Sequence, residues 1–153
     1  MSVSIVAVAG KPTRWVDQAT ARYSERMPRH WRFGIDLIAP SRKNDSAARM
    51  ADEWRRVEQR VPSQHTLALL DERGKQMTSR QFAQWLQRDL DRGASVSFVI
   101  GGADGVSHET RQNADTLLAV APFTLPHELA RVVLVEQIYR AHTIMTNHPY
   151  HRD

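Results

Sequence analysis

Short apolar, β-branched runs alternate with longer amphipathic segments through most of this chain, and that alternation limits the fold more than any other feature. Residues 3–9 read as a strand closed by Gly10 and Pro12. Residues 14–27 have helical spacing, with Trp15, Ala19 and Tyr23 on one face, and Pro28 ends them. Residues 33–38 form a second strand before a polar loop at 40–45. Residues 46–60 form a charged amphipathic helix stopped by Pro62. Residues 66–70 are a third strand, followed by a turn at 71–75. Thr78 and Gln81 are spaced for a capping box that opens a helix through Arg92, with Phe82, Trp85, Leu86 and Leu90 on its buried face. Residues 95–100 are a fourth strand. Strands alternating with helices predict an α/β fold, a mostly parallel sheet covered on both faces. Nucleotide-like ligands then belong at the carboxyl ends of the strands.

The 153 residues suit one domain, 1–153, with a core of its own. Cysteine is absent, which excludes disulfides, zinc–thiolate sites and thiol nucleophiles. The first ten residues lack a basic flank and read as a buried strand rather than a signal peptide, and no run is apolar enough for a membrane span. A cytoplasmic protein is expected. The net charge is +4 and the isoelectric point about 10.0, which permits a polyanionic partner without requiring one.

The fourth strand runs directly into Gly101-Gly102-Ala103-Asp104-Gly105. Glycines here let the backbone approach a ligand, or simply allow a tight strand-to-helix turn. The spacing fits neither a dinucleotide fingerprint nor a phosphate-binding P-loop. Ser107 is placed to cap a short helix over 108–114. The apolar stretch 116–121 leads to Pro122 and Pro126, which hold the intervening residues extended. A helix of about 30 Å is expected over 127–146. Leu129, Val132, Val133 and Glu136 share one of its faces, continued by Tyr139, Arg140 and Thr143. Either the sheet or a second subunit must cover it. In the tail, Pro149 separates His148 from His151 and disfavours a metal site, so no metal is expected.

Read in order, Phe98 to Gly105, Thr124-Leu125-Pro126-His127, Arg131-Val132, Glu136 to Ala141 and Asn147-His148-Pro149-Tyr150-His151 resemble the ribosomal RNA large-subunit methyltransferase H family of the SPOUT superfamily. Ile5 to Lys11 and Leu70-Asp71 before Gly74-Lys75 are similar to it as well. The likeness spans the chain and is sharp from Phe98 onward. It implies a SPOUT-type parallel sheet flanked by helices, with a trefoil knot near the C-terminus. It also implies a homodimer that uses S-adenosyl-L-methionine to methylate N3 of a pseudouridine in ribosomal RNA. With no added RNA-binding module, assembled ribosomes are the expected substrate.

Carried over by position, the cofactor would meet Leu70, Gly101, Gly102, Val120, Ala121, Pro122, Phe123, Thr124 and Leu125. An extended loop flanked by prolines offers an adenine both an apolar slot and backbone hydrogen bonds. Tyr150, His151 and Arg152 are the expected catalytic residues, because a tail this specific has no evident packing role. His127 is either catalytic or a helix-start residue bonded to backbone, and Arg140 and His148 are further candidates. Glu136 is expected to pair with Arg131 or Arg140. Arg49, Arg55, Arg56 and Arg60 form a phosphate-binding face or a merely solvated one. The alternatives are a SPOUT enzyme acting on transfer RNA and a non-catalytic nucleotide- or RNA-binding module.

Overall fold

The fold comes from a computed structural model and is described for residues 1–152; Asp153 lies outside the described residues. Five strands form one sheet: β1 (Val3–Val8), β2 (Gly34–Ile38), β3 (Thr66–Gln76), β4 (Val96–Ile100) and β5 (Thr116–Ala119). Their order is β2-β1-β4-β3-β5, and every pairing is parallel. Five helices connect and flank them: α1 (Arg14–Ser24), α2 (Ser46–Glu58), α3 (Ser79–Asp91), α4 (His108–Asn113) and α5 (His127–Met145).

The parallel strands explain the apolar runs, since both faces of such a sheet are covered. All five residues of β4 are buried. One face carries Ile5, Ala68, Phe98 and Leu118 against Phe82 and Leu86 of α3 and Leu134, Val135 and Ile138 of α5. The other face carries Val6, Leu69 and Val99 against Val57 and Trp54 of α2. The capping box at Thr78 and Gln81 forms as its spacing predicts, and the Ser107 hydroxyl accepts from the Thr110 amide at 3.1 Å.

Three local expectations change. On α1 the buried residues are Val16 and Thr20, whereas Trp15 stays 49% exposed. The spacing of four was correct, but the aromatic residue sits one position off the inward face. On α5 the buried residues are Arg131, Leu134, Val135, Ile138, Tyr139, Ala141 and Thr143. Val132, Val133 and Glu136 remain half-buried, and Leu129 is exposed. A helix with apolar residues on several sides does not reveal which side its own sheet takes.

The third change concerns the turn at 71–75. β3 pairs with β5 through Leu70↔Leu118, loops out, and rejoins the same ladder at Lys75↔Leu118 and Gln76↔Ala119. The polar residues do leave the sheet, but the strand resumes after them. Gly74 lies directly on the backbone of Leu117 and Leu118, where a Cβ would come within 2.6 Å of main-chain atoms. The excursion therefore depends on a glycine at its return point.

Candidate active site

The carboxyl ends of β3, β4 and β5 open into a cleft of about 550 Å³. Leu70 ends the regular part of β3, Gly101 and Gly102 follow β4, and Val120, Ala121, Phe123, Thr124 and Leu125 follow β5. All eight line this cleft. Pro122, in the same segment, does not line it. Its walls are apolar where Leu70, Ile100, Leu118, Leu125 and Ala130 meet, and charged where Asp71, Arg73, Asp104 and Arg111 stand. Phe123 is 82% exposed, so its ring is available to cover whatever enters.

The glycine loop is a tight turn as well as a wall. The Gly105 amide donates to the Gly102 carbonyl at 2.9 Å, and Gly105 has φ 75°, a left-handed conformation that glycine adopts without strain. The tight-turn reading is met, and the same loop walls the cleft. Asp104 is gripped by Arg49, whose Nε donates at 2.7 Å, and this contact holds the Asp104 carboxyl below its usual range.

His127 begins α5 at the edge of the cleft. Its Nε2 is buried without a partner among the described residues. Burial, and then the charge of Arg131, push the ring below the ordinary histidine range. His127 is thus the first residue of α5, as the helix-start reading has it.

Sequence reasoning missed Glu72, Arg73 and Arg111 as parts of this wall. Arg111 of α4 donates to the Val106 carbonyl at 2.7 Å and lies 3.8 Å from the Asp71 carboxylate. No local pattern marks these residues. The looping-out of β3 brings Glu72 and Arg73 over the cleft, and α4 brings Arg111 to meet them.

The tail lies elsewhere. Asn147 takes the left-handed conformation at φ 55°. The His148 amide then donates to the Thr143 carbonyl at 2.8 Å and the Asn147 amide to Ile144 at 3.2 Å, a paired arrangement that ends α5 and turns the chain back. Tyr150 packs edge-on against Tyr139, with ring centroids 5.0 Å apart, and its hydroxyl donates to Glu136 Oε1 at 2.9 Å. The expectation that this tail has no packing role is corrected on those contacts. Glu136 also accepts from Arg140 Nη2 at 2.6 Å, and Arg140 Nη1 lies 3.2 Å from His151 Nδ1. Glu136 therefore pairs with Arg140. Arg131 is instead buried with Nη1 lacking a partner among the described residues. Arg152 is exposed. Tyr150, Arg140 and His151 thus form one cluster around Glu136, but Glu136 lies about 14 Å along α5 from His127 at the edge of the cleft.

A family model described as a predicted SPOUT methyltransferase matches residues 1–151. The chain belongs to this family. Relatives named ribosomal RNA large subunit methyltransferase H match it along the full length of both chains. One from Chromobacterium violaceum is 42% identical, and relatives from Neisseria meningitidis and Laribacter hongkongensis are each 40% identical.

For this SPOUT chain Arg49, Arg55 and Arg56 of α2, and Arg60 just beyond it, are paired within the fold. Arg49 pairs with Asp104, Arg55 and Arg56 pair with Asp52, and Arg60 pairs with Asp36. With three carboxylates set against these four guanidiniums, the face has little net charge to offer phosphates, which favours the solvated reading. No helix among the described residues is long and apolar enough to cross a membrane, and none of their histidines and carboxylates gather into a group of three able to hold a metal.

Burial lowers three histidines, His65, His127 and His142, below the ordinary value of 6.5. The unfolded chain therefore takes up protons at a pH where the folded chain does not. Their contribution to stability is complete above about 6.5 and is lost as the pH falls toward the depressed folded values. Asp52 and Asp104 are lowered from 3.8 and act only in a more acidic window. The melting temperature is expected to fall between pH 7.5 and 5.5. An unchanged melting temperature across that interval would refute the burial of these rings.

Proposed function

We propose that this chain is an S-adenosyl-L-methionine-dependent methyltransferase acting on N3 of a pseudouridine in large-subunit ribosomal RNA. In this reading residues 1–153 work as a single domain, as a homodimer, on assembled ribosomes in the cytoplasm. The observation that carries it is the cleft: segments far apart in sequence converge there, in a chain whose full-length relatives carry a ribosomal RNA methyltransferase name.

The lining suits this cofactor. Leu70, Leu118, Val120 and Leu125 offer apolar contact to an adenine, and the backbone of the segment after β5 offers it hydrogen bonds. Asp71, Glu72 and Asp104 place carboxylates beside Arg73 and Arg111, a mixed set that matches a ligand carrying positive sulfonium and ammonium groups and a carboxylate. When bound, the cofactor supplies an electrophilic methyl group. The protein's task is then to align the acceptor with it and to manage the N3 proton.

Tyr150, His151 and Arg152 are proposed to receive the target base. Burial and the adjoining Glu136 push the Tyr150 phenol upward, so it stays protonated near neutral pH. Tyr150 is thus not the base; its one proton goes to Glu136, which leaves the phenol oxygen to accept from the target base. The His151 ring and the Arg152 guanidinium are the groups left to accept a proton or to stabilise an anionic base.

The distance between tail and cleft supports the homodimer. An isologous pairing along the α5 stripe of Leu129, Val132 and Val133, with the twofold axis perpendicular to the helices, would run them in opposite directions. One copy's tail would then reach the other's cleft. The C-terminal trefoil knot belongs to the same proposal and rests on the family likeness.

The test is transfer of labelled methyl from S-adenosyl-L-methionine to ribosomes lacking the modification, beside separated subunits, naked ribosomal RNA and transfer RNA. Label mapped to a pseudouridine in assembled ribosomes is expected. Label in transfer RNA alone would replace the substrate assignment, and failure to bind the cofactor would remove the methyltransferase reading.

A further inference from the structure

Glu53 of α2 is 4% exposed, and burying a carboxylate is unfavourable unless its oxygens are matched. Oε1 is matched: it accepts from the Ser41 amide at 2.9 Å. Oε2 has no partner among the described residues. This second oxygen lies against the Cα of Gly102, so closely that a Cβ built there would fall on the Glu53 carboxylate. Glu53 does not line the cleft, whereas Gly102 does. The carboxylate therefore stands behind the glycine loop, on the side away from the ligand.

Two more residues of the same helix face hold the same loop. Ser46 donates to Asp104 Oδ1 at 3.1 Å, and Arg49 donates to both Asp104 oxygens, at 2.7 and 3.1 Å. Arg49 also donates to the carbonyls of Lys43 and Asn44, at 3.0 and 2.8 Å. Positions 46, 49 and 53 follow the i, i+3, i+7 spacing of one helix face. That face ties the loop after β2, through Ser41, Lys43 and Asn44, to the loop after β4, through Gly102 and Asp104. Arg49 and Ser46 hold the far end of the glycine loop at the exposed rim. Glu53 meets its near end, next to the residues that line the cleft.

We propose that Glu53 is a positioning residue for cofactor binding, with Oε2 bracing the backbone at Gly102 so that Gly101 and Gly102 present a fixed surface to the ligand. The proposal rests on the methyltransferase reading above. It explains why a carboxylate is kept in this buried place with one oxygen directed at the loop. It also gives Gly102 a reason to be glycine apart from contact with the ligand, since any side chain there displaces the brace.

The experiment is calorimetric binding of S-adenosyl-L-methionine to the full-length protein and to Glu53→Gln, Glu53→Ala, Gly102→Ala and the Glu53→Ala/Gly102→Ala pair, with melting temperatures alongside. Glu53→Gln keeps the shape, can still accept from Ser41, and turns a donor toward the loop. It is expected to weaken cofactor binding about tenfold or more, with KM for the cofactor rising and kcat changing little. Gly102→Ala is expected to weaken binding at least as much. Removing the carboxylate gives the added methyl room, so the double variant should bind no worse than Glu53→Ala alone. That coupling is a result that a general loss of stability would not produce.

Unchanged affinity in Glu53→Gln would overturn the proposal, even with a lowered melting temperature. So would effects of Glu53→Ala and Gly102→Ala that simply multiply in the pair. If Glu53→Ala does not fold, Glu53→Gln decides by itself. Failure of the unsubstituted protein to bind the cofactor would instead overturn the methyltransferase reading.

Discussion

Gly74→Ala is expected to lower stability by about 3 kcal/mol, the upper end of what overpacking costs. For a chain of this length that corresponds to a melting temperature lower by about 6 to 12 °C. The reason is the absence of room. A Cβ at Gly74 would sit 2.6 Å from the Leu117 carbonyl carbon and 2.6 Å from the Leu118 nitrogen. Both are backbone atoms of β5, so no side-chain rotation relieves the contact. Either β5 moves or β3 fails to rejoin it at Lys75 and Gln76. The consequence also reaches the cleft, because Leu118 and Val120 line it and the segment 120–125 hangs from the end of β5. Cofactor binding should therefore fall together with stability. Gly34→Ala is the control, since no atom lies within 4 Å of a Cβ there, and its effect should stay within about 0.5 kcal/mol. Equal melting of Gly74→Ala and the unsubstituted protein would show that β3 does not return to the ladder at this glycine.

The same feature shows where sequence reasoning stops. Strand and helix periods are local, so the alternating order was legible, as were the Thr78 capping box and the inward face of α3. The return of β3 after three polar residues and a glycine was not, because its cause is β5, more than forty residues away. α5 was equally opaque. Its length was clear, but its apolar residues lie on several sides, and choosing among them requires knowing what each side meets. The cleft was legible in part, through residues that resemble family motifs. Glu72, Arg73 and Arg111 enter it by tertiary approach alone, and Glu53 supports it from behind without touching it. The tail misled for a physical reason. Asn147 and His148 form a helix stop and Tyr150 packs on Tyr139, so part of what resembled a purely catalytic signature also ends and covers a helix.

Tyr150→Phe separates those roles. The substitution keeps the ring against Tyr139 and removes only the hydroxyl that donates to Glu136. A lost hydrogen bond of this kind costs about 1 kcal/mol of stability. The rate of methyl transfer to ribosomes is expected to fall about 100-fold, as for the loss of a group that positions the target base, and His151→Ala should lose at least as much, within the range for a positioned proton-transfer group. Cofactor affinity should hardly change, because Glu136, which accepts the bond, lies about 14 Å along α5 from His127 at the edge of the same copy's cleft. An unchanged rate in both variants, with the dimer intact, would remove the tail from the substrate site. Mixing chains decides which copy the tail serves. One chain carries Tyr150→Phe with His151→Ala, and the other carries a cleft defect such as Gly102→Val. If tail and cleft act within one copy, every site in the mixture is defective and activity stays absent. If the tail of one copy completes the cleft of the other, each mixed dimer has one intact site, and about a quarter of full activity should return. That recovery would link the half-covered face of α5, the separation of tail and cleft, and the need for two subunits in a single result.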